Sequence, residues 1–454
     1  MPESERLSQI MRKREKGASP GSVGPIRQGP RPLALHLGTA ALTWLSSRAA
    51  LPLLIGGSLP WKKELAAAGA ELRTELARAD PEALAKALER EVRQRLDRFM
   101  SAVERYRHHP YRRTLPDPPL LWQEGTTRVL DFGAAVPAAA PTALFVPSLV
   151  NRSYILDLSP GTSFLRWLAG QGVRPLLVDW GRPGEVERGF GLSDYIAGRL
   201  ASAIDVAARA AGPVALVGYC MGGNLALAAA LRRQDQVTAL GLLAVPWDFH
   251  AERPEFGRMV AAAAGPMLDL ADRFGELSTE VIQALFYCLD PYLAPRKFLR
   301  FAEFEPGSDR DLAFVALEDW LNDGVPLAAR VARECLAGWY GENTPGRGLW
   351  RVAGEIVDPG AWPGPALVMV PAQDRIVPPA SAEALARLVP RADVLHPAAG
   401  HIGMMVSGVA ETAVWRPLRD WLLANSRHVP RSAPTKPAGS RAKPRGRRRR
   451  AKRD

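Results

Sequence analysis

Cysteine is scarce in this chain: 454 residues contain three, Cys220, Cys288 and Cys335, widely spaced and with no Cys-x-x-Cys pair. An odd number at such spacing excludes a disulfide framework and a cysteine-based zinc cluster, and it fits a reducing cytoplasm. Long apolar runs are equally scarce. The stretch from Leu33 to Ile55 is interrupted by His36, Arg48 and Pro52, which argues against a membrane-spanning helix and leaves an amphipathic segment that packs on the body or lies on a hydrophobic surface. The opening MPESERLSQIMRKREKG is polar and is not followed by a compact apolar segment with a cleavage site, so no secretory signal is expected. Acidic residues are outnumbered, 47 against 59 Lys and Arg, for a net charge of +12. That excess is local. Residues 427–454 hold twelve Lys or Arg and one acidic residue, so the body is nearly neutral and does not read as a nucleic-acid-binding surface.

With 47% hydrophobic and 23% charged residues, the composition is that of a globular protein with a large core. Residues 1–32 are charged and rich in Gly and Pro, and read as flexible. The segment from Trp61 to Arg107 is dense in helix formers, with Pro81 marking a break between two helices, so residues 1–110 read as a flexible start followed by a helical region. From residue 111 to 426, short β-like runs alternate with helical ones. Strands are expected at Arg128–Phe132, Ala143–Val146, Pro175–Val178, Val214–Gly218, Gly241–Ala244, Leu367–Val370 and Val394–His396. The pattern is that of an α/β fold with a mostly parallel sheet and helices on both faces. Between about residues 249 and 351 the strand signal gives way to helical segments carrying aromatics, which predicts an inserted helical cap. Residues 427–454 lack apolar periodicity and read as a disordered basic tail, either a solvated appendage or a patch attracting nucleic acid or another acidic polymer.

One short stretch carries the chemistry. In ALVGYCMGGNLALAAAL, Ala215–Leu231, a buried strand breaks at Gly218 and continues past Cys220 as a helix. A nucleophile between small residues on a strand-to-helix turn is the arrangement of the G-x-S-x-G elbow of α/β-hydrolases, here with cysteine in place of serine. The acid and the histidine of that arrangement follow the nucleophile in the chain, leaving His250, His396, His401 and His428. His428 belongs to the tail, His250 stands near the cap entrance, and His396 ends a candidate strand facing a packing layer. His401 lies in the small-residue loop PAAGHIGMMVSG, and Asp374 follows an apolar run in LVMVPAQDRIVPP. The expected catalytic set is Cys220, Asp374 and His401, with backbone N–H groups of Met221 and Val150 holding the oxyanion. No cofactor or metal is expected.

Together, GYCMGGN, VPSLVNRSYILDL, PLLVDWGRPGEVERGFGLSDYI, PAQDRIVPP and GHIGMMVS resemble the polyhydroxyalkanoate synthase family, in particular its class III catalytic subunits, over roughly residues 110–425. The resemblance places that family's catalytic cysteine, aspartate and histidine on Cys220, Asp374 and His401. It implies polymerisation of (R)-3-hydroxyacyl-CoA into polyester with release of CoA, a granule surface as partner, a homodimer, and a second synthase subunit. A polyester depolymerase or an acyl-CoA thioesterase on the same scaffold is the alternative. Four features depart from the family pattern: Arg375 stands where many members carry His, Asn224 where Thr is usual, the helical N-terminal region is longer than in class III subunits, and the basic tail is an addition.

Overall fold

Eight strands form the central sheet of the computed structural model, which describes residues 26–252 and 254–426. They are β1 (Leu120–Glu124), β2 (Thr127–Asp131), β3 (Thr142–Val146), β4 (Arg174–Asp179), β5 (Val214–Tyr219), β6 (Val237–Leu243), β7 (Ala366–Met369) and β8 (Ala392–Leu395). Their spatial order is β1-β2-β4-β3-β5-β6-β7-β8. The β1–β2 and β2–β4 pairs are antiparallel and every other pair is parallel.

The apolar runs are continuous because both faces of the sheet are covered. On β5 every residue is buried, and the side chains divide by parity. Val214 and Leu216 join Leu144, Val146, Leu240 and Leu242 in one core, whereas Ala215, Val217 and Tyr219 join Ala143, Phe145 and Leu243 in the other. The first core is closed by helices Ala201–Ala211 and Met221–Arg232, which contribute Ile204, Ala207 and Leu225. The second is closed by Phe164–Gly170 and Arg416–Asn425 through Phe164, Leu168, Leu418 and Leu422. All seven expected strands are present, with ends shifted by a few residues. β1 was not expected: its sequence LLWQE is half-exposed at the sheet edge and turns into β2 at Gly125, whose φ is +58°.

Residues 244–365 leave the sheet after β6 and return at β7. They form helices Pro254–Phe274, Thr279–Leu289, Leu293–Phe301, Asp309–Asn322 and Ala329–Arg333, followed by a π-helical turn at Glu334–Gly341. Ser278 and Ser308 cap two of these helices, accepting from the N–H groups of Val281 and Asp311. Two short strand pairs interrupt the helical character, Glu276–Leu277 with Leu327–Ala328 and Arg351–Val352 with Glu355–Ile356.

The N-terminal helices are Leu33–Leu45, Ser47–Ile55, Ala66–Leu76 and Pro81–Arg107. Pro81 occupies the first turn of the last, where its missing N–H costs nothing, and Asp80 caps it through the N–H of Ala83. A third core, separate from the sheet, joins Ala40, Phe99, Val103 and Tyr106 to Phe298, Phe301 and Val315. The N-terminal helices therefore rest on the cap. Residues 26–32, expected to be flexible, are pinned: the Arg27 guanidinium donates to both carboxylate oxygens of Asp319, at 2.5 and 3.1 Å, and to the Tyr111 carbonyl at 2.7 Å. Residues 1–25 and the basic tail from residue 427 lie outside the described residues. Among the described residues, no helix is long and apolar enough to cross a membrane.

Candidate active site

Cys220 sits between β5 and the helix Met221–Arg232 with φ 56° and ψ −134°. A non-glycine residue is strained there, and the surroundings hold it in place. Its N–H donates to the Leu243 carbonyl at 2.9 Å, and its carbonyl accepts from Gly223 N–H at 2.9 Å. The flanking glycines are required by close approach. A Cβ on Gly222 would lie 2.0 Å from the Val146 carbonyl oxygen, and one on Gly218 would lie 2.3 Å from the Cα of Gly223. Strand and helix thus cross in near contact, and the thiol stands at the turn, partly exposed.

Asp374 and His401 reach the same place from adjacent loops beyond β7 and β8. Three backbone bonds stitch these loops together: Val370 N–H to the Leu395 carbonyl at 2.8 Å, Ala372 to Pro397 at 2.9 Å and Gln373 to Ala399 at 3.0 Å. One carboxylate oxygen of Asp374 accepts the N–H groups of Ile376 and Val377, both at 2.8 Å. The other lies 2.7 Å from Nδ1 of His401, and both residues are buried. With Nδ1 engaged, Nε2 is the ring nitrogen left for the thiol. Tyr219, next to the nucleophile, stacks on the His401 ring at 5.3 Å between centroids and donates its hydroxyl to the His401 carbonyl at 2.9 Å.

Burial alone would lower the basicity of His401, but the charge of a Cys220 thiolate, the Asp374 hydrogen bond and the hydrogen bond to Cys220 outweigh it and push the pKa up to about 10. Burial pushes the thiol of Cys335 well above the ordinary range, which disfavours its charged form.

Met221 opens the elbow helix directly after Cys220 and lies with it on the cavity wall; the first N–H groups of a helix have no intrahelical acceptor. Val150 lies with Cys220 on the cavity wall, and its N–H donates to the Ser148 hydroxyl at 3.3 Å. The Val150 loop is held from the cap side by the Val325 N–H on the Val150 carbonyl at 3.0 Å and the Trp320 indole N–H on the Arg152 carbonyl at 2.8 Å. Above the thiol, Phe249, Phe256, Leu285, Leu336, Trp339 and Tyr340 give the cavity an apolar wall. Among the described residues, no group of three or more His, Cys, Asp or Glu side chains is placed to hold a metal ion.

A family model described as alpha/beta hydrolase fold matches residues 178–407. The chain is also 31% identical over 299 residues to the poly(3-hydroxyalkanoate) polymerase subunit PhaC of Allochromatium vinosum, covering 64% of this chain and 83% of that protein. The chain belongs to the PhaC family. A second PhaC, from Synechocystis sp., is 29% identical over 317 residues, which is 66% of this chain and 83% of the relative. The PhaC of Haloferax mediterranei is 30% identical over 288 residues, but that match spans only 58% of its length and 62% of this chain.

The two body positions expected to depart from the family pattern, Asn224 and Arg375, differ in consequence. Asn224 is fully buried in the elbow helix and donates to the Pro246 carbonyl at 2.7 Å, fastening that helix to the start of the cap. Arg375 borders the cavity above Cys220 and pairs with Asp290 of the cap at 3.4 Å. The other candidate histidines are elsewhere. His250 bonds the Tyr340 carbonyl at 2.8 Å inside the cap. His396 does not face a packing layer: it is half-exposed beside Glu383 at 3.6 Å, because β8 is the last strand of the sheet and presents its side chains outward. His428 lies outside the described residues. Tyr219 escaped the reading of the sequence. Its signal was parity, since the last residue of β5 falls on the face opposite Leu216, beneath the histidine loop.

Proposed function

We propose that the protein polymerises (R)-3-hydroxyacyl groups from their CoA thioesters into polyester, with Cys220 as the covalent carrier. The observation that carries this reading is a cysteine, rather than a serine, at a strained elbow beneath an apolar cavity and beside a buried His401–Asp374 pair. His401 Nε2 takes the proton of the Cys220 thiol, the sulfur attacks the thioester carbonyl, and the N–H groups of Met221 and Val150 hold the oxyanion, the latter exchanging its 3.3 Å bond to the Ser148 hydroxyl for it. Collapse expels CoA as its thiolate, which takes the proton back from His401. The acyl group is now a thioester on Cys220, still activated. A serine would trap it as a more stable oxygen ester. His401 then deprotonates the hydroxyl of a second 3-hydroxyacyl group; its oxygen attacks the Cys220 thioester, the C–S bond breaks, the departing Cys220 sulfur takes the proton from His401, and the chain, now on the second group, is longer by one ester bond. Asp374 fixes the imidazole tautomer and stabilises its protonated form. The apolar wall limits access of water, the competing nucleophile.

The proposal carries a cytoplasmic location, attachment to the polyester granule surface, a homodimer, and a second synthase subunit, the last because the matched relatives are named as subunits. Any contact of the basic tail with nucleic acid or granules is part of the same proposal. A thioesterase or depolymerase would use the same acyl-enzyme and differ only in the final acceptor. Purified protein is therefore supplied with (R)-3-hydroxybutyryl-CoA, with and without a class III partner subunit, and both CoA and acyl products are measured. Insoluble high-mass polyester supports the proposal. Stoichiometric free 3-hydroxybutyrate with no polymer in either arm overturns it in favour of hydrolysis.

A further inference from the structure

Two cavities meet at Cys220, sharing Ser148, Val150, Phe286 and Arg375. One runs under the aromatic cap. The other runs toward the N-terminus, where Pro30, Arg31 and His36 form part of its wall, facing Lys297 and Glu318 of the cap. These three residues lie far upstream of the sheet in sequence, yet they border the same space as the nucleophile.

The segment that carries them is fastened at several points. Arg27 grips Asp319 and the Tyr111 carbonyl. The Arg31 N–H donates to the Asn322 side chain at 2.8 Å, and its guanidinium donates to the Asn322 carbonyl at 2.9 Å and pairs with Glu280. His36 meets Tyr287 edge to face at 5.4 Å, and Thr39 bonds the Tyr287 hydroxyl. Behind these contacts, Leu33, Leu37 and Ala40 pack into the aromatic core around Phe298 and Phe301. The anchors lie on the cap helices, on the chain leading into the sheet and, through Arg107, at the end of the last N-terminal helix. The segment is thus held as a strap along one side of the second cavity.

We propose that residues Arg27–Thr39 form a selectivity wall of the active site, and that Arg31 and His36 determine what reaches Cys220 through the second cavity. A thioester waiting on sulfur is lost if water arrives before a chain hydroxyl, so a wall on this side governs the division between transfer and hydrolysis. That consequence rests on the polymerase reading above, whereas the wall itself does not.

The test uses the full chain and the variants Arg27→Ala/Arg31→Ala and His36→Ala. First, alkylation of Cys220 is followed by peptide mass spectrometry, which separates it from exposed Cys288, using iodoacetamide and a bulky N-substituted maleimide. Loosening the strap should raise the maleimide rate relative to the iodoacetamide rate, because a local element that opens admits the bulkier reagent. Second, with (R)-3-hydroxybutyryl-CoA the ratio of free acid to polyester should rise in the same variants. An unchanged reagent ratio in a folded double variant overturns the proposal. If the double variant loses its cooperative thermal transition, the same ratio in His36→Ala decides. Wild-type protein that yields only free acid refutes the polymerase reading but leaves the alkylation result to judge the wall.

Discussion

Gly222→Ala should nearly abolish turnover without changing the identity of any reactive side chain. The new methyl group would lie 2.0 Å from the carbonyl oxygen of Val146 and 2.7 Å from both the carbonyl carbon and oxygen of Pro147, all backbone atoms at the end of β3. Interiors are too densely packed to absorb this by a side-chain rotation, so the elbow helix and β3 must separate by about 1 Å to restore even a tight contact. That movement displaces Cys220 and the Met221 N–H from the loop carrying Val150. A misplacement of about 1 Å costs roughly a hundredfold in rate, and the overpacking itself costs about 1–3 kcal/mol of stability. Gly198→Ala is the matched control, because nothing lies within 4 Å of its added Cβ and it sits within a helical segment; a change within about 1 kcal/mol, favourable if anything, is expected there. The assays are initial rates of CoA release and urea denaturation of both variants. Wild-type rate and stability in Gly222→Ala would refute the argument from close approach.

Two further predictions concern the buried pair. His401→Ala and Asp374→Asn should each cost orders of magnitude in CoA release, with His401→Ala/Cys220→Ala little worse than either single change, because the residues act as a unit; a mild loss in His401→Ala together with a large one in His396→Ala would show that the wrong imidazole had been assigned. His401 binds its proton up to about 10 in the folded protein against an ordinary 6.5. The stability it contributes is therefore full below pH 6.5, declines as the pH rises, and is lost above about 10. Cys220→Ala removes the largest effect raising that value, so NMR titration of the His401 ring should move to lower pH, and an unmoved titration would show that the sulfur is not its source.

The central sheet was legible because its interior strands are short apolar runs between Gly, Pro and polar breaks, and burial on both faces is what such runs require. β1 was not, since LLWQE is an edge strand with half-exposed side chains and makes its case only through pairing with β2. The candidate site was legible where chemistry is local: the glycines around Cys220 and the loops of Asp374 and His401 follow their strands directly. His396 was misread because the sequence does not say that β8 is the outermost strand. Nor could composition reveal the strap. A Gly- and Pro-rich segment reads as flexible until Arg27 meets Asp319, a partner nearly three hundred residues away whose position only the folded cap defines.

The point where the cap leaves the sheet has a consequence for how the molecule can vary. β6 and β7, which bracket residues 244–365, are parallel neighbours with Leu240 opposite Ala366. The insertion leaves after Leu243, at the C-terminal end of β6, and returns at Ala366, the start of β7, so its ends are offset by three residues, about 10 Å along the strands, and by one strand spacing, roughly 4.8 Å, across them. A replacement that crosses back from the C-terminal edge of β6 to the start of β7 and spans that offset can occupy the same seam without asking the sheet to adjust. The nucleophile precedes the seam, while the acid and histidine follow it on loops already fastened to each other. Exchanging caps between relatives should thus alter the range of acyl chains admitted while keeping the reacting atoms in register, and a hybrid needs only the strap and the Val150 loop rebuilt to fit its new neighbour.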